Sequence, residues 1–233
     1  MSATGTRPLV LIGIGGLGAP AAATLVQAGV RHLRLIDDDR VELSNLPRQP
    51  LFGTGDLGQL KVEAAARRLE AFAAGRGGLH VETLATRLDA ANADVLLDRA
   101  LALLDGTDGL ASKLVLNDAA VRHGVPLVHA GALGTDGQLM TILPGETACL
   151  RCLFPELHES DDFASCQQAG VLGPLVGAVG VRMATEGLAL SRGERPSLAG
   201  RLAMLDGIGL RWRTIEVRRN IDCRSCARTT TAR

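Results

Sequence analysis

Residues 9–39 constrain the fold more than any other stretch of the chain. Leu9 to Ile14 is an apolar run that ends in glycines, Gly13-Ile14-Gly15-Gly16-Leu17-Gly18, and an alanine-rich stretch from Gly18 to Ala28 comes next. A second apolar run, His32 to Ile36, ends in Asp37-Asp38-Asp39. The order predicts a strand, a helix and a second strand. Glycines between a strand and a helix let backbone amides approach a phosphate at the helix N-terminus. Asp37, nineteen residues past Gly18 at the end of the second strand, is placed to accept hydrogen bonds from ribose hydroxyls. Gly13, Gly15, Gly16, Gly18 and Asp37 are therefore candidates for nucleotide contact. A turn that needs glycine only for packing is the plainer alternative, and NAD is the usual rival ligand.

The same alternation continues downstream. Lys61 to Ala74 has helical composition, Leu79 to Ala85 alternates like a strand, Ala100 to Leu104 reads as a short buried strand and Ala111 to His123 as a helix. Val125 to Ala130 and Gln138 to Leu143 read as two strands about a Gly-Thr-Asp-Gly turn. The expected fold is α/β: a Rossmann-like, mostly parallel sheet with helices on both faces, extended by C-terminal antiparallel strands. Beyond Pro144, Pro155 to Ala164 reads as a polar loop, Val171 to Ser191 as a helix, and Leu198 to Leu205 with Leu210 to Val217 as paired strands around Asp206-Gly207. No linker separates two cores, so one domain spanning 1–233 is expected, with a nucleotide-binding part over about 8–132 and a partner-binding, metal-holding part over about 133–233.

Bulk properties exclude several classes. The 25 basic and 25 acidic side chains cancel, so no overall field draws the chain to nucleic acid or to an anionic membrane. The segment from Met1 to Pro8 is polar and lacks the h-region of a secretory signal, which points to a cytoplasmic protein. The greasiest stretch, Val171 to Leu190, carries Arg182 and Glu186 and suits a buried helix better than a membrane span. Gly173, Gly177 and Gly180 on that helix predict a smooth face for close backbone approach, with apolar side chains in nearly every other direction and burial on all sides.

The segment after Asp37 separates one nucleotide from another. Val41-Glu42-Leu43-Ser44-Asn45-Leu46-Pro47-Arg48-Gln49 leads on to Gly58-Gln59-Leu60-Lys61. A nicotinamide site needs little positive charge there, whereas a triphosphate needs cations to stabilise departing pyrophosphate, and Arg48 and Lys61 supply them. Taken singly, each is an ordinary exposed charge.

These motifs in series resemble the ThiF/MoeB family of sulfur-carrier protein adenylyltransferases and the adenylation domains of ubiquitin-activating enzymes. The resemblance runs from Val10 to Cys226, through Asp105-Gly106-Thr107-Asp108, Asn117-Asp118, Pro126-Leu127-Val128 and Gly137-Gln138. It implies ATP-dependent adenylation of the C-terminal Gly-Gly carboxylate of a ubiquitin-like sulfur-carrier protein, in thiamin, molybdopterin or related sulfur-transfer biosynthesis. It also implies that Asp37 holds the ribose, that Asn45, Arg48 and Lys61 hold the phosphates, and that Asp108 holds magnesium, with Gln49 and Asp39 as further candidates. The chemistry agrees, because a carboxylate attacking an α-phosphate brings two anions together and needs cations more than a general base.

The same family leads us to expect a homodimer, and, since no rhodanese-like domain follows Arg233, a separate sulfur-donor protein. Three features depart from the family's pattern. An Arg-Tyr-x-Arg-Gln-like arm is missing before Val10, leaving Arg7 as a possible substitute. Gly109 stands where relatives often carry asparagine, and Lys113 where they carry arginine. A tRNA-modifying dehydratase of the same superfamily, an NAD-dependent oxidoreductase and an inactive carrier-binding scaffold remain the alternatives.

Cys149-Leu150-Arg151-Cys152 and Cys223-Arg224-Ser225-Cys226 form two C-x-x-C knuckles, and together they offer the four sulfurs that structural zinc favours. A redox disulfide is the alternative. Cys166 is left over; its neighbourhood resembles the position where the family carries a reactive thiol, and a helix N-terminus favours a thiolate. A buried small hydrophobe is the bland alternative there. His129, near a strand end, is expected to be packed rather than catalytic.

Overall fold

The computed structural model describes residues 7–75, 77–157 and 170–227. The strands are β1 (Leu9–Ile12), β2 (His32–Ile36), β3 (His80–Leu84), β4 (Ala102–Asp105), β5 (Leu127–Leu133), β6 (Asp136–Ile142), β7 (Arg201–Asp206) and β8 (Arg211–Glu216). They form one sheet in the order β3-β2-β1-β4-β5-β6-β7-β8. The first five run parallel, and β6, β7 and β8 continue the sheet antiparallel. The expected architecture is the one observed.

Each central strand is buried on both faces, which is why β1 and β4 read as unbroken apolar runs. Leu9 and Leu11 face one way, into the cluster formed with α1 (Gly18–Gln27), α2 (Lys61–Ala73) and α6 (Gly173–Ser191). Val10 and Ile12 face the other way, onto α3 (Ala93–Leu96), α4 (Leu110–His123) and α5 (Leu150–Leu153). Truncating a fully buried leucine such as Leu103 or Leu104 to alanine costs about 2–5 kcal/mol.

β1 and β4 lie side by side although β2 and β3 come between them in the chain. The order reverses there, so the loops leaving the C-terminal ends of β1 and β4 diverge over a crevice. Glycine is required at that point. A Cβ on Gly18 would stand 1.9 Å from the carbonyl oxygen of Gly13, and Gly13 itself has φ +82° and sits against Gly106. Neither position has room for alanine.

The helix at 173–191 shows the close backbone approach its glycines predict but departs from the expected burial on all sides. Two of its glycines meet backbone of this same chain: a Cβ on Gly180 would lie 2.5 Å from the Leu17 oxygen, and one on Gly173 would lie 3.1 Å from the Pro47 oxygen. The helix is not buried all round, because Pro174, Ala178, Val181, Arg182 and Thr185 face outward. Its inner face is built to lie against the glycine loop, and the outer stripe is left uncovered by the chain itself. No helix among the described residues is long and apolar enough to cross a membrane.

Candidate active site

The crevice over β1 and β4 is lined by Gly13, Gly15 and Gly16, by Asp37 and Asp39, by Arg48, Gln49 and Lys61, and by Asp108. These come from separate loops that gather at the C-terminal ends of the parallel strands. Of the residues expected from sequence, Gly18 and Asn45 are not in the lining. Gly18 starts α1 and packs under Gly13. Asn45 is buried behind the wall, where its Oδ1 accepts from Gln49 Nε2 at 3.3 Å and so orients that amide.

Asp37 ties the loops together. Its Oδ2 accepts from the Ile14 amide at 2.6 Å and its Oδ1 from the Asp39 amide at 2.8 Å. Burial raises its carboxyl above the ordinary value, although Lys61 and the two amides pull the other way. A carboxylate has about four lone-pair sites, so acceptor capacity remains for ribose hydroxyls.

Lys61 is the first residue of α2 and is 4% exposed. The 37–41 turn and the 58–61 segment clasp each other: the Lys61 amide donates to the Asp39 oxygen at 2.9 Å and the Val41 amide to the Gln59 oxygen at 2.9 Å. That clasp puts Lys61 Nζ 2.5 Å from Asp39 Oδ2. The pair holds the ammonium over the crevice until a stronger anion competes for it. Arg48 ends a 3-10 turn, Leu43–Arg48, and one of its guanidinium nitrogens is anchored on the Ser44 carbonyl at 2.9 Å. Gln49 Oε1 is buried and, among the described residues, is the one buried side-chain polar atom without a hydrogen-bond partner. Such an atom in the wall of a cleft calls for a donor from whatever fills it.

Asp108 is exposed and borders a second, larger cavity of about 720 Å³, lined by β5, β6, β7 and β8 residues including Gln138, Arg211 and Arg213. The two cavities share Thr107, Asp108 and Ala132. Anything entering the second along the sheet meets the first at Thr107, Asp108 and Ala132.

Sequence reasoning missed two parts of this site. Thr86 and Arg87, just past β3, also line the crevice; the signal was their position after a parallel strand next to Asp37. The second is a buried cluster beneath the 105–108 loop. Asp105 accepts from Lys113 Nζ at 3.1 Å, from the Thr107 hydroxyl at 2.7 Å and amide at 3.1 Å, and pairs with His129 Nδ1 at 2.9 Å. Burial alone would raise Asp105, but Lys113 and His129 hold it down to about 2. His129 is buried as expected, with its Nδ1 paired to the Asp105 carboxylate. Arg7, the candidate N-terminal cation, lies at the other end of the sheet, where it donates to the carbonyls of Arg99 and Ala100.

Burial, above all, lowers the His129 pKa below its ordinary 6.5, against the pull of Asp105. A histidine neutral when folded and free to protonate when unfolded makes the unfolded state the better proton binder below that value. Stability is then full above about pH 6.5 and falls as pH drops, by up to ~1.4 kcal/mol per pH unit. The melting temperature is expected to fall between pH 7 and pH 5, with a shallower fall in His129→Asn. Parallel slopes for the two proteins would contradict this.

The four knuckle cysteines meet on the opposite face of the sheet. Their sulfurs lie 3.9 Å apart for Cys149 and Cys152, 3.6 Å for Cys149 and Cys223, and 3.3 Å for Cys152 and Cys226. None is disulfide-bonded. Four sulfurs at ≈ 2.3 Å from a tetrahedral centre stand about 3.8 Å apart, so the set fits zinc. Burial, then the three neighbouring sulfurs, push the Cys149 thiol up, and Cys226 rises to about 11; a cation is what allows all four to ionise together. Asn117 and Asp118 serve this cluster. Asn117 Oδ1 accepts from the Leu150 amide at 2.8 Å, and Asp118 takes Arg151 in a two-pronged pair at 2.5–2.9 Å. Cys166 lies outside the described residues, as does much of the expected loop from Pro155 to Ala164.

Fold and cleft define the class: a doubly wound α/β protein whose crevice is of the nucleotide-binding type, with a four-cysteine cluster pinning its C-terminal segment. A model of the ThiF family matches residues 6–225. The chain is 40% identical over 220 residues to the sulfur carrier protein ThiS adenylyltransferase of Escherichia coli K12, covering 94% of this chain and 85% of that one. It is 38% identical over 230 residues to the sulfur carrier protein adenylyltransferase of Thermus thermophilus, covering 97% and 84%. A SAMP-activating enzyme E1 of Haloferax volcanii is 38% identical over 219 residues, covering 94% and 79%. In fold, Escherichia coli MccB superposes with a TM-score of 0.82 at 20% identity, over 96% of this chain and 66% of that one. The chain belongs to the ThiF family.

Proposed function

We propose that this chain adenylates the C-terminal carboxylate of a ubiquitin-like sulfur carrier ending in Gly-Gly. The carrier's carboxylate oxygen attacks the α-phosphorus of ATP, the bond to the departing pyrophosphate breaks, and an acyl-adenylate forms. The observation that carries this is the junction of two cavities at Asp108: one lined by Gly13, Gly15, Gly16, Asp37, Arg48 and Lys61, the other a larger cavity of about 720 Å³ running along β5 to β8. In this mechanism Asp37 holds the ribose, the α1 N-terminus and Gly15–Gly16 face the phosphates, and Arg48 and Lys61 neutralise charge that builds on pyrophosphate. Bound Mg2+ would supply further charge neutralisation between phosphates, with Asp108 as its protein ligand. Zinc held by Cys149, Cys152, Cys223 and Cys226 would supply stability. The name of the Escherichia coli relative supports a carrier as acceptor, and the convergence of Arg48 and Lys61 favours a triphosphate over NAD.

The outward stripe of α6 supports a homodimer, and sedimentation at micromolar concentration is expected to give twice the chain mass; a monomer would contradict it. The reaction itself is tested by intact mass of candidate Gly-Gly carriers after incubation with this protein and MgATP. An AMP adduct on the carrier is expected. Carriers of unchanged mass, across a panel that binds the protein, would overturn the proposal.

A further inference from the structure

The sheet's outer edge carries a group of side chains that the proposed reaction does not use. His32 opens β2 and His80 opens β3, and the two are directly opposite each other in the parallel register, as are Arg34 and Glu82 two residues on. All four therefore project from one sheet face, the face that carries α3 and α4, at the end of the strands remote from the crevice. Both imidazoles present Nε2 to the same carboxylate oxygen. Glu82 Oε1 is 2.7 Å from His32 Nε2 and 3.9 Å from His80 Nε2, and the three donor atoms all lie within 4.8 Å of one another.

We infer that His32, His80 and Glu82 form a second metal site, for a borderline divalent transition ion such as zinc, nickel or cobalt. Two imidazoles and one carboxylate are the donor set such ions take when a position is left open to water. Donors about 2.0–2.2 Å from one tetrahedral centre stand roughly 3.3–3.5 Å apart, between the two separations observed. His80, 70% exposed, has freedom to close the remaining distance, while His32 and Glu82, at 19% and 30%, are held. Arg34 does not compete for the inner oxygen. Its Nε bonds Glu82 Oε2 at 2.6 Å and its other prong donates to the carbonyls of Leu96 and Asp98 at 3.0 and 2.8 Å. The guanidinium thus orients the carboxylate from behind, as outer partners of metal ligands do. The ion would clamp edge strand β3 to β2, independently of the proposed reaction.

The test uses the full chain with its cysteine site already saturated with zinc, titrated with Ni2+ by calorimetry at pH 7.5. One Ni2+ per chain is expected to bind, with affinity at least tenfold weaker in His80→Ala and in Glu82→Gln, and unchanged in His123→Ala, where another exposed histidine is lost. Ni2+ is also expected to raise the melting temperature of the unmodified chain but not of His80→Ala. Circular dichroism verifies that the variants fold, which the exposure of His80 favours. Absence of saturable binding, or binding that His80→Ala leaves unchanged, would overturn the site.

Discussion

Lys61→Ala is expected to lower carrier-dependent adenylation by about 10²–10³-fold, the loss typical when one charge-stabilising donor is taken from a transition state. The side chain is buried, yet it faces the crevice and pairs with Asp39 Oδ2 at 2.5 Å. On its own that pair satisfies both charges. When a triphosphate enters, the ammonium has a stronger partner, and its contribution grows as negative charge moves onto the departing pyrophosphate. Alanine removes the cation and leaves Asp39 facing the phosphates uncompensated, so both changes act against catalysis. Lys61→Arg should rescue poorly, since a planar fork does not fit where a point charge sits on Asp39. The loss should appear in kcat/KM with little change in melting temperature. A loss below tenfold, or one explained by unfolding, would remove Lys61 from the mechanism.

The second large effect falls on stability. Cys223→Ser, or removal of the metal by a chelator, is expected to lower the melting temperature by roughly 10 °C. Breaking the site leaves the remaining thiols crowded in a buried position and frees the segment beyond β8. A loss of several kcal/mol is reasonable for a structural zinc site in a chain whose sheet still folds, and each kcal/mol is about 2–4 °C at this size. The consequence spreads beyond the cysteines, because Asn117, Asp118 and Arg151 join the knuckle to α4, and Arg219 donates to the Gly145 carbonyl at 2.9 Å. Limited proteolysis should then cut near residue 220 first. An unchanged melting curve in metal-free protein would show that the four sulfurs pack without needing an ion.

Strands β1 and β4 were legible in the sequence because central parallel strands are buried on both faces and leave unbroken apolar runs, whereas edge strand β3 was legible by its alternation. The Leu43–Arg48 turn was not, because its polar, proline-containing sequence has no periodicity; its conformation depends on the α6 N-terminus packing against Pro47. The glycine loop was legible as a motif but not in its division of labour. Gly15 and Gly16 line the crevice while Gly18 answers a steric demand of the Gly13 carbonyl. The Asp39–Lys61 pair was invisible since it depends on the clasp between two loops far apart in the chain. The same is true of Asp105, Lys113 and His129, which only the β4–β5 pairing brings together. On α6 the glycine pattern signalled close backbone approach correctly, and the partner turned out to be this chain's own loops.

The central claim is that the crevice activates a carboxylate delivered from the neighbouring cavity by joining it to AMP. Exchange of labelled pyrophosphate into ATP measures that step directly, because it requires the acyl-adenylate to form and revert. Exchange is predicted only when magnesium and a carrier with a free Gly-Gly carboxylate are both present, and it should vanish when that carboxylate is amidated. Release of ADP and phosphate in place of exchange, or exchange indifferent to the carrier's terminus, would contradict the account.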